Sequence, residues 1–170
     1  MVDIYCGSLL DNLVDSSKSK PVASFWRPLP HGWLKFNVCG IALEDSVGRE
    51  GVLRDIEGVA RVLFSGAVVA NDAEVAEIGV VKVALEVFLA MNCKTYESLF
   101  IEIGSLMAFS WCANKVLRPW SLQTIFVEIE IAMFNVGTVV FSLVDKNGND
   151  MAFSLTMVGV NRAQMFKAWW

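Results

Sequence analysis

Cysteine, histidine and glycine are the residue types in this sequence that could support nucleophilic, metal or phosphate chemistry. The four cysteines, at positions 6, 39, 93 and 112, lack the paired spacing of a zinc site. His31 is the only histidine, and no serine or cysteine arrangement around it suggests a catalytic triad. The glycines mark turns without the lysine and serine or threonine of a phosphate-binding loop. These patterns predict free thiols in a reducing compartment.

Three short strands are the first elements that would position a site. Leu34, Phe36 and Val38 alternate with other residues in LKFNVCG, which is the period of a strand. EGVLRDIEG and VARVLFSGAVVA are further strand-like runs, separated by a turn at Gly58, and such short connections favour an antiparallel meander. Residues 1–25 are largely polar and predict a flexible lead or linker, so the ordered domain is expected over residues 26–170.

Helices and strands alternate in the second half of the chain. Apolar residues fall on one helical stripe between Asp72 and Met91, and SLFIEIG then predicts a short buried strand. Ser105 is the predicted N-cap of a second helix, and a third follows Pro119. TVVFSLV predicts a fifth strand, and Asn149 the start of a last helix. This order predicts an α/β fold with a mixed sheet.

The stretch WRPLPHGWLKFNVCG, with GVLRDIEG and NDAEVAEI after it, resembles a ribonuclease H-type domain. It is most similar to the plant non-LTR retroelement branch, associated with reverse transcriptases, whose usual opening is W-x-P-P-x-x-G-W-L-K-F-N-V-D-G. The resemblance implies a five-stranded mixed sheet, three antiparallel strands and then parallel ones, flanked by helices. It also implies an RNA–DNA hybrid ribonuclease that binds nucleic acid and holds two metal ions with four carboxylates.

The positions that match those four carboxylates read Cys39, Glu74, Gly104 and Phe153. FNVCG has Cys39 where the family has the acid of F-N-V-D-G, and IEIGS has Gly104 where it has the acid of V-E-S-D-S. NDAEVAEI retains Glu74 at the acid that opens the long helix. NDMAFSLT matches N-S-L-A-D-A-L-A with Phe153 at the acid. The resemblance therefore leaves one of the four ligands, Glu74.

Two other acids lie near the substituted positions. Glu102 stands two residues before Gly104 on the same strand face, about 6.6 Å away, and Asp150 stands about one helical turn before Phe153. Either could join Glu74 at a displaced Mg²⁺ or Mn²⁺ ion. A cysteine thiol is a soft ligand that suits zinc or copper better than Mg²⁺. No cofactor is expected unless activity remains. In an inactive chain, Glu74 serves only as a charge partner of the dipole of its helix.

Charge and hydropathy bear on partners and location. The net charge is −4 without a basic run, whereas nucleic-acid binders usually present a basic face. Hydrophobic residues make up 55% of the chain, yet no segment reaches the about 20 apolar residues that span a bilayer. The first residues carry acids where a signal peptide carries bases. We therefore expect a cytoplasmic or nuclear protein without a membrane partner.

The residues leave three functions open. The first is a degenerate, catalytically inactive ribonuclease H-type domain that binds RNA–DNA hybrid weakly. The second is a residual metal-dependent RNA–DNA hybrid endoribonuclease that uses Glu74 with Asp150 or Glu102. The third is a protein-interaction module or homodimer formed through an apolar surface, because MAFSLTMV in the predicted last helix is apolar on more than one side.

Overall fold

The computed structural model of the chain describes residues 3–5, 29–43, 46–68, 73–91, 98–144 and 165–169. The strands are β1 (Asp3–Tyr5), β2 (Trp33–Leu43), β3 (Ser46–Arg54), β4 (Ala60–Val68), β5 (Ser98–Ile103), β6 (Thr138–Leu143) and β7 (Phe166–Trp169). The helices are α1 (Ala73–Ala90), α2 (Leu106–Ala113) and α3 (Gln123–Val136). Two 3-10 turns connect α2 to α3, Lys115–Leu117 and Trp120–Leu122.

All the described strands form one mixed sheet in the order β1-β6-β5-β2-β3-β4-β7. β2, β3 and β4 are an antiparallel meander, whereas β5 and β6 run parallel to β2. The predicted α/β class and mixed sheet are therefore confirmed. The predicted number of five strands is wrong, because the described sheet has seven strands.

The two additional strands lie at the edges of the sheet. β1 pairs parallel with β6, and β7 pairs antiparallel with β4. β1 falls within residues 1–25, which the sequence assigned to a flexible lead, whereas the structure places Asp3–Tyr5 in the sheet. A strand of three residues is too short to show a period of two, so the pattern missed it. The rest of that lead and the helix predicted from Asn149 lie outside the described residues.

The core lies between the sheet and α1. Alternate residues of β2 point to opposite faces, and Leu34, Phe36 and Val38 are fully buried on the face toward α1. The rings of Phe36 and Phe64 meet edge to face at 5.9 Å between centroids. Helix α3 packs beside α1 and closes the same core with buried residues Phe126, Ile129, Ala132 and Val136.

Caps and turns follow the local chemistry of the sequence. Ser105 Oγ accepts a hydrogen bond of 3.2 Å from the Ala108 N–H, which confirms Ser105 as the N-cap of α2. Gly58, with a φ of +81°, turns the chain between β3 and β4. Asp55 supports that turn by accepting from the N–H groups of Glu57 at 3.0 Å and Val59 at 2.9 Å. These local features can be predicted from the sequence because the interacting groups are near neighbours along the chain.

Candidate functional site

The carboxyl end of β5 brings Gly104 beside Cys39, which lies within β2. Val38 pairs with Ile103 in the parallel register, so Cys39 and Gly104 follow at adjacent positions of the two strands. Neighbouring strands lie about 4.8 Å apart. Cys39 is 7% exposed, whereas Gly104 is exposed. The predicted neighbours are therefore side by side, but neither carries a carboxylate.

The N-terminal part of α1 passes directly over β2 at the next residue, Gly40. A Cβ on Gly40 would lie 2.6 Å from both the Ala76 carbonyl carbon and the Glu77 nitrogen, so only glycine permits this approach. Arg49 of β3 further holds the helix, because its guanidinium donates to the Val75 carbonyl at 3.3 Å. Glu74 lies in the first turn of α1 and is partly buried. The packing thus sets the N-terminal part of α1, which carries Glu74, against the face of β2 opposite to the Cys39 side chain.

Glu77, one turn after Glu74, is a buried carboxylate that contacts β2. Its carboxylate accepts a hydrogen bond from the Gly40 N–H, while its Oε2 is buried without a hydrogen-bond partner. Burial raises the pKa of the Glu77 carboxyl to about 7, and the Gly40 hydrogen bond only partly opposes that rise. Glu77 is therefore protonated in about half of the molecules near neutral pH.

Glu102 lies on the face of the sheet that points away from α1 and Glu77. Basic and amide groups of β2 bind its carboxylate there. Its Oε1 accepts from Lys35 Nζ at 2.9 Å, and its Oε2 accepts from Asn37 Nδ2. The side chains of Lys35 and Glu102 are 5% and 15% exposed, so the pair is shielded from water. Arg54 of β3 is a further positive group that interacts with Glu102. Burial lowers the pKa of Arg54, and the charge of Glu102 raises that pKa by a smaller amount. The carboxylate of Glu102 is neutralised within the sheet.

Glu50 is a second buried acid on the face of the sheet that carries Cys39. It pairs directly with Cys39 across β2 and β3 and with Ser65 across β3 and β4. Glu50 is fully buried and Ser65 is 2% exposed, and the Ser65 hydroxyl donates to Glu50 Oε1. Directly opposed residues share one face of a sheet, so Cys39, Glu50 and Ser65 form a row.

The described residues do not fit a pair of Mg²⁺ ions. Mg²⁺ takes oxygen ligands, whereas Cys39 offers a sulfur atom and Gly104 no side chain. Glu102 would have to leave Lys35 and Asn37, and a cation there would stand beside Lys35 and Arg54. Within the described ranges, no three histidine, cysteine or acidic residues are grouped to hold a metal ion. Asp150 and Phe153 lie outside these ranges, so their places at the site remain predictions.

The other two candidate reactive groups lie in different environments. His31 is exposed in the turn before β2. Cys112 is buried in α2, and burial raises the pKa of its thiol to about 12 against the lowering effect of Arg118. A thiol with that pKa is almost never a thiolate near neutral pH.

In the described part of the chain, no helix is both long enough and apolar enough to cross a membrane.

Sequence reasoning missed Glu50 and the environment of Glu77. Both are charged residues within elements otherwise read as apolar or glycine-rich, and Glu77 occupies a position where the resembled family usually has a small residue. That departure was the available signal for Glu77. For Glu50 the signal was its place directly after Arg49 inside a strand, because two successive charges put one of them on each face.

Comparisons with solved structures identify the fold. LC11-RNase H1, isolated from compost by a metagenomic approach, superposes with a TM-score of 0.70 at 18% identity over 78% of this chain and 98% of that chain. The N-terminal RNase H domain of Rv2228c from Mycobacterium tuberculosis gives a TM-score of 0.67 at 11% identity, over 76% of this chain and 94% of the other.

A foamy viral protease-reverse transcriptase, solved in complex with RNA/DNA hybrid, gives a TM-score of 0.56 at 18% identity. That match covers 88% of this chain and 22% of the viral one. No family model matches the sequence, and no curated protein matches it either. The structural likeness, at these low identities, shows that the chain has the ribonuclease H-like α/β fold.

Proposed function

We propose that this chain is a degenerate ribonuclease H-type domain that does not cleave RNA–DNA hybrids and binds them weakly. The observation that carries the proposal is the pair of adjacent positions Cys39, within β2, and Gly104, directly after β5, where the fold presents a buried thiol and a bare backbone. Two-metal hydrolysis needs converging carboxylates at such a place to bind the ions and activate water. Sequence similarity in the surrounding motifs supports descent from a plant non-LTR retroelement domain.

The electrostatics of the neighbouring acids support the same proposal. Glu102, the acid nearest Gly104 in the sequence, is paired with Lys35 and hydrogen-bonded by Asn37. Glu77, the acid hydrogen-bonded by Gly40, has a raised pKa because of burial. A carboxyl that is half protonated near pH 7, or already neutralised by lysine, is a poor ligand for a divalent cation.

A cleavage assay tests the proposal directly. We expect no cutting of a labelled RNA–DNA hybrid by the full chain in Mg²⁺ or Mn²⁺ above the rate without protein. Glu74→Gln is the matched control, since it removes the one retained family carboxylate while keeping the shape of the side chain. Cleavage that is present in the unmodified chain and lost in Glu74→Gln would overturn the proposal and favour the residual endoribonuclease.

A variant with restored carboxylates tests whether the loss of the family's metal ligands accounts for the proposed inactivity. Cys39→Asp, Gly104→Asp and Phe153→Asp together restore the carboxylate types that the resemblance implies at these positions. We expect Mg²⁺-dependent cleavage from this triple variant, provided that circular dichroism shows a folded chain. The same triple variant carrying Glu74→Gln should be inactive, because activity that survives it would come from a contaminating nuclease.

A further inference from the structure

Helix α3 carries an apolar stripe on the side that faces away from the core. Val127, Ile131 and Phe134 are spaced by four and three residues, so they lie one above another on the helix surface. They are 48%, 58% and 88% exposed. The buried residues Phe126, Ile129 and Val136 occupy the opposite side of the same helix. Helix α3 is therefore apolar on two opposite faces, and only one of them is covered in the described chain.

An apolar helix face that points away from the core is expected to be buried against another surface. A surface helix normally places polar residues opposite its core stripe, whereas a helix that is apolar all round is a buried helix. Two large apolar side chains of the 3-10 turns before α3 are also exposed, Trp120 at 94% and Val116 at 89%. Exposed apolar patches of several hundred Å² mark interaction surfaces in soluble proteins.

We propose that this outer face of α3 is the interface of a homodimer, in which the α3 helices of two copies pack antiparallel about a two-fold axis. The stripe is small at one end, Val127, and large at the other, Phe134. An antiparallel pair centred near Ile131 sets each Val127 against Phe134 of the second copy, so the side-chain volumes are complementary. A two-fold interface requires such self-complementarity, and antiparallel helix dipoles attract each other.

Charge at the margins of the stripe suits a second copy of the same chain. Glu128 is paired with Lys82 at 2.8 Å, and Glu130 is paired with Lys115 at 2.9 Å and also with Arg118. These ion pairs within each copy neutralise the acids that border the stripe. Two identical surfaces can then meet without like charges opposed, although each chain has a net charge of −4.

The two exposed aromatic side chains supply less than half of the area that a stable dimer needs. An aromatic side chain buries about 150–250 Å² when covered, so Trp120 and Phe134 together offer on the order of 350 Å² per copy. A stable interface buries about 800 Å² on each partner. The partly exposed side chains of Val127 and Ile131 supply further apolar area on the stripe itself, and Val116 and Leu117 are exposed in the first of the preceding 3-10 turns.

Analytical ultracentrifugation across a dilution series tests the proposal. We expect a particle of twice the 18.8 kDa chain mass that dissociates at least tenfold more readily in Phe134→Lys. Val59→Lys is the matched control, because Val59 is 47% exposed in the turn between β3 and β4, away from α3. Both variants change exposed side chains, so their thermal unfolding should match that of the unmodified chain.

Cysteine cross-linking tests the register. Near the axis, Ile131→Cys places two thiols within the about 7 Å between Cα atoms that a disulfide requires. Phe134→Cys places them about 10 Å apart at 1.5 Å per residue, so it should not cross-link with itself. Mixed Val127→Cys and Phe134→Cys chains should cross-link with each other. Unmodified chain treated in the same way measures the background from native cysteines.

Three outcomes overturn the homodimer. The first is a chain that stays monomeric at all concentrations, and the second is a dimer that Phe134→Lys leaves intact. The third is a monomer that sediments with phosphatidylcholine vesicles in a Phe134-dependent way, which assigns the stripe to a lipid surface. None of these results depends on whether the chain cleaves or binds nucleic acid, so the dimer and the proposed function can fail separately.

Discussion

Two acids near the substituted site have different surroundings. Glu102 accepts hydrogen bonds from Lys35 and Asn37 in a place shielded from water. Glu77 receives only the Gly40 N–H, and its Oε2 has no partner, so burial dominates and the pKa rises to about 7. Motif matching identifies the positions Cys39 and Gly104 but cannot find this contrast, because it depends on which groups the folded backbone aims at each oxygen.

The raised pKa of Glu77 makes stability depend on pH in a defined direction. The carboxyl takes up a proton near pH 7 in the folded chain and near pH 4.5 when exposed, so the folded state binds more protons between these values. The unfolding free energy contributed by Glu77 is therefore full below about pH 4.5 and is lost as the pH rises through about 7. We expect Glu77→Gln to remove this loss, which is on the order of 3 kcal/mol.

Urea unfolding of Glu77→Gln and of the unmodified chain at several pH values checks this expectation. The informative quantity is the difference between the two unfolding free energies, which should change in favour of the variant from about pH 5 to about pH 8. Glu86→Gln on the same helix is the control, because the Glu86 side chain is 53% exposed. A constant difference across this pH range would show that Glu77 does not titrate there.

At the scale of elements, periodicity found the five central strands and the three described helices. β2 to β4 show clear apolar runs and turns, and α2 has a local cap, so near neighbours in sequence fix them. β1 and β7 have three and four residues and are held by pairing with β6 and β4, which are remote in sequence. Short edge strands of this kind have no pattern of their own from which they could be predicted.

The N-cap of α2 provides a test at this scale. Ser105 Oγ satisfies the Ala108 N–H, one of the amides at the helix start that have no partner within the helix. We expect Ser105→Ala to cost about 1 kcal/mol of unfolding free energy and to lower the Tm by about 2–4 °C. Ser105→Asp keeps a capping oxygen and should retain most of the stability. Equal Tm values for the alanine and aspartate variants would contradict a capping role.

For the whole molecule, the distribution of charge decides what kind of partner the surface can attract. Most described basic groups are already engaged inside the chain. Arg61 is paired with Asp55, Lys82 with Glu86 and Glu128, and both Lys115 and Arg118 with Glu130. Such pairing neutralises cations that would otherwise contact phosphates. In the part of the fold that the structure describes, most cations are therefore engaged in ion pairs within the chain.

We expect weak and nearly salt-independent binding of RNA–DNA hybrid. Each phosphate that a protein neutralises contributes about −0.9 to the slope of log affinity against log salt concentration. With most of its described cations paired and a net charge of −4, the chain should contact few phosphates. We expect a Kd weaker than about 10 μM at physiological salt and a slope shallower than about −2. Fluorescence anisotropy with a labelled hybrid measures both values, with a DNA duplex of the same length as control. A steep slope together with nanomolar affinity would show instead that the chain presents a basic surface built from residues beyond these ion pairs.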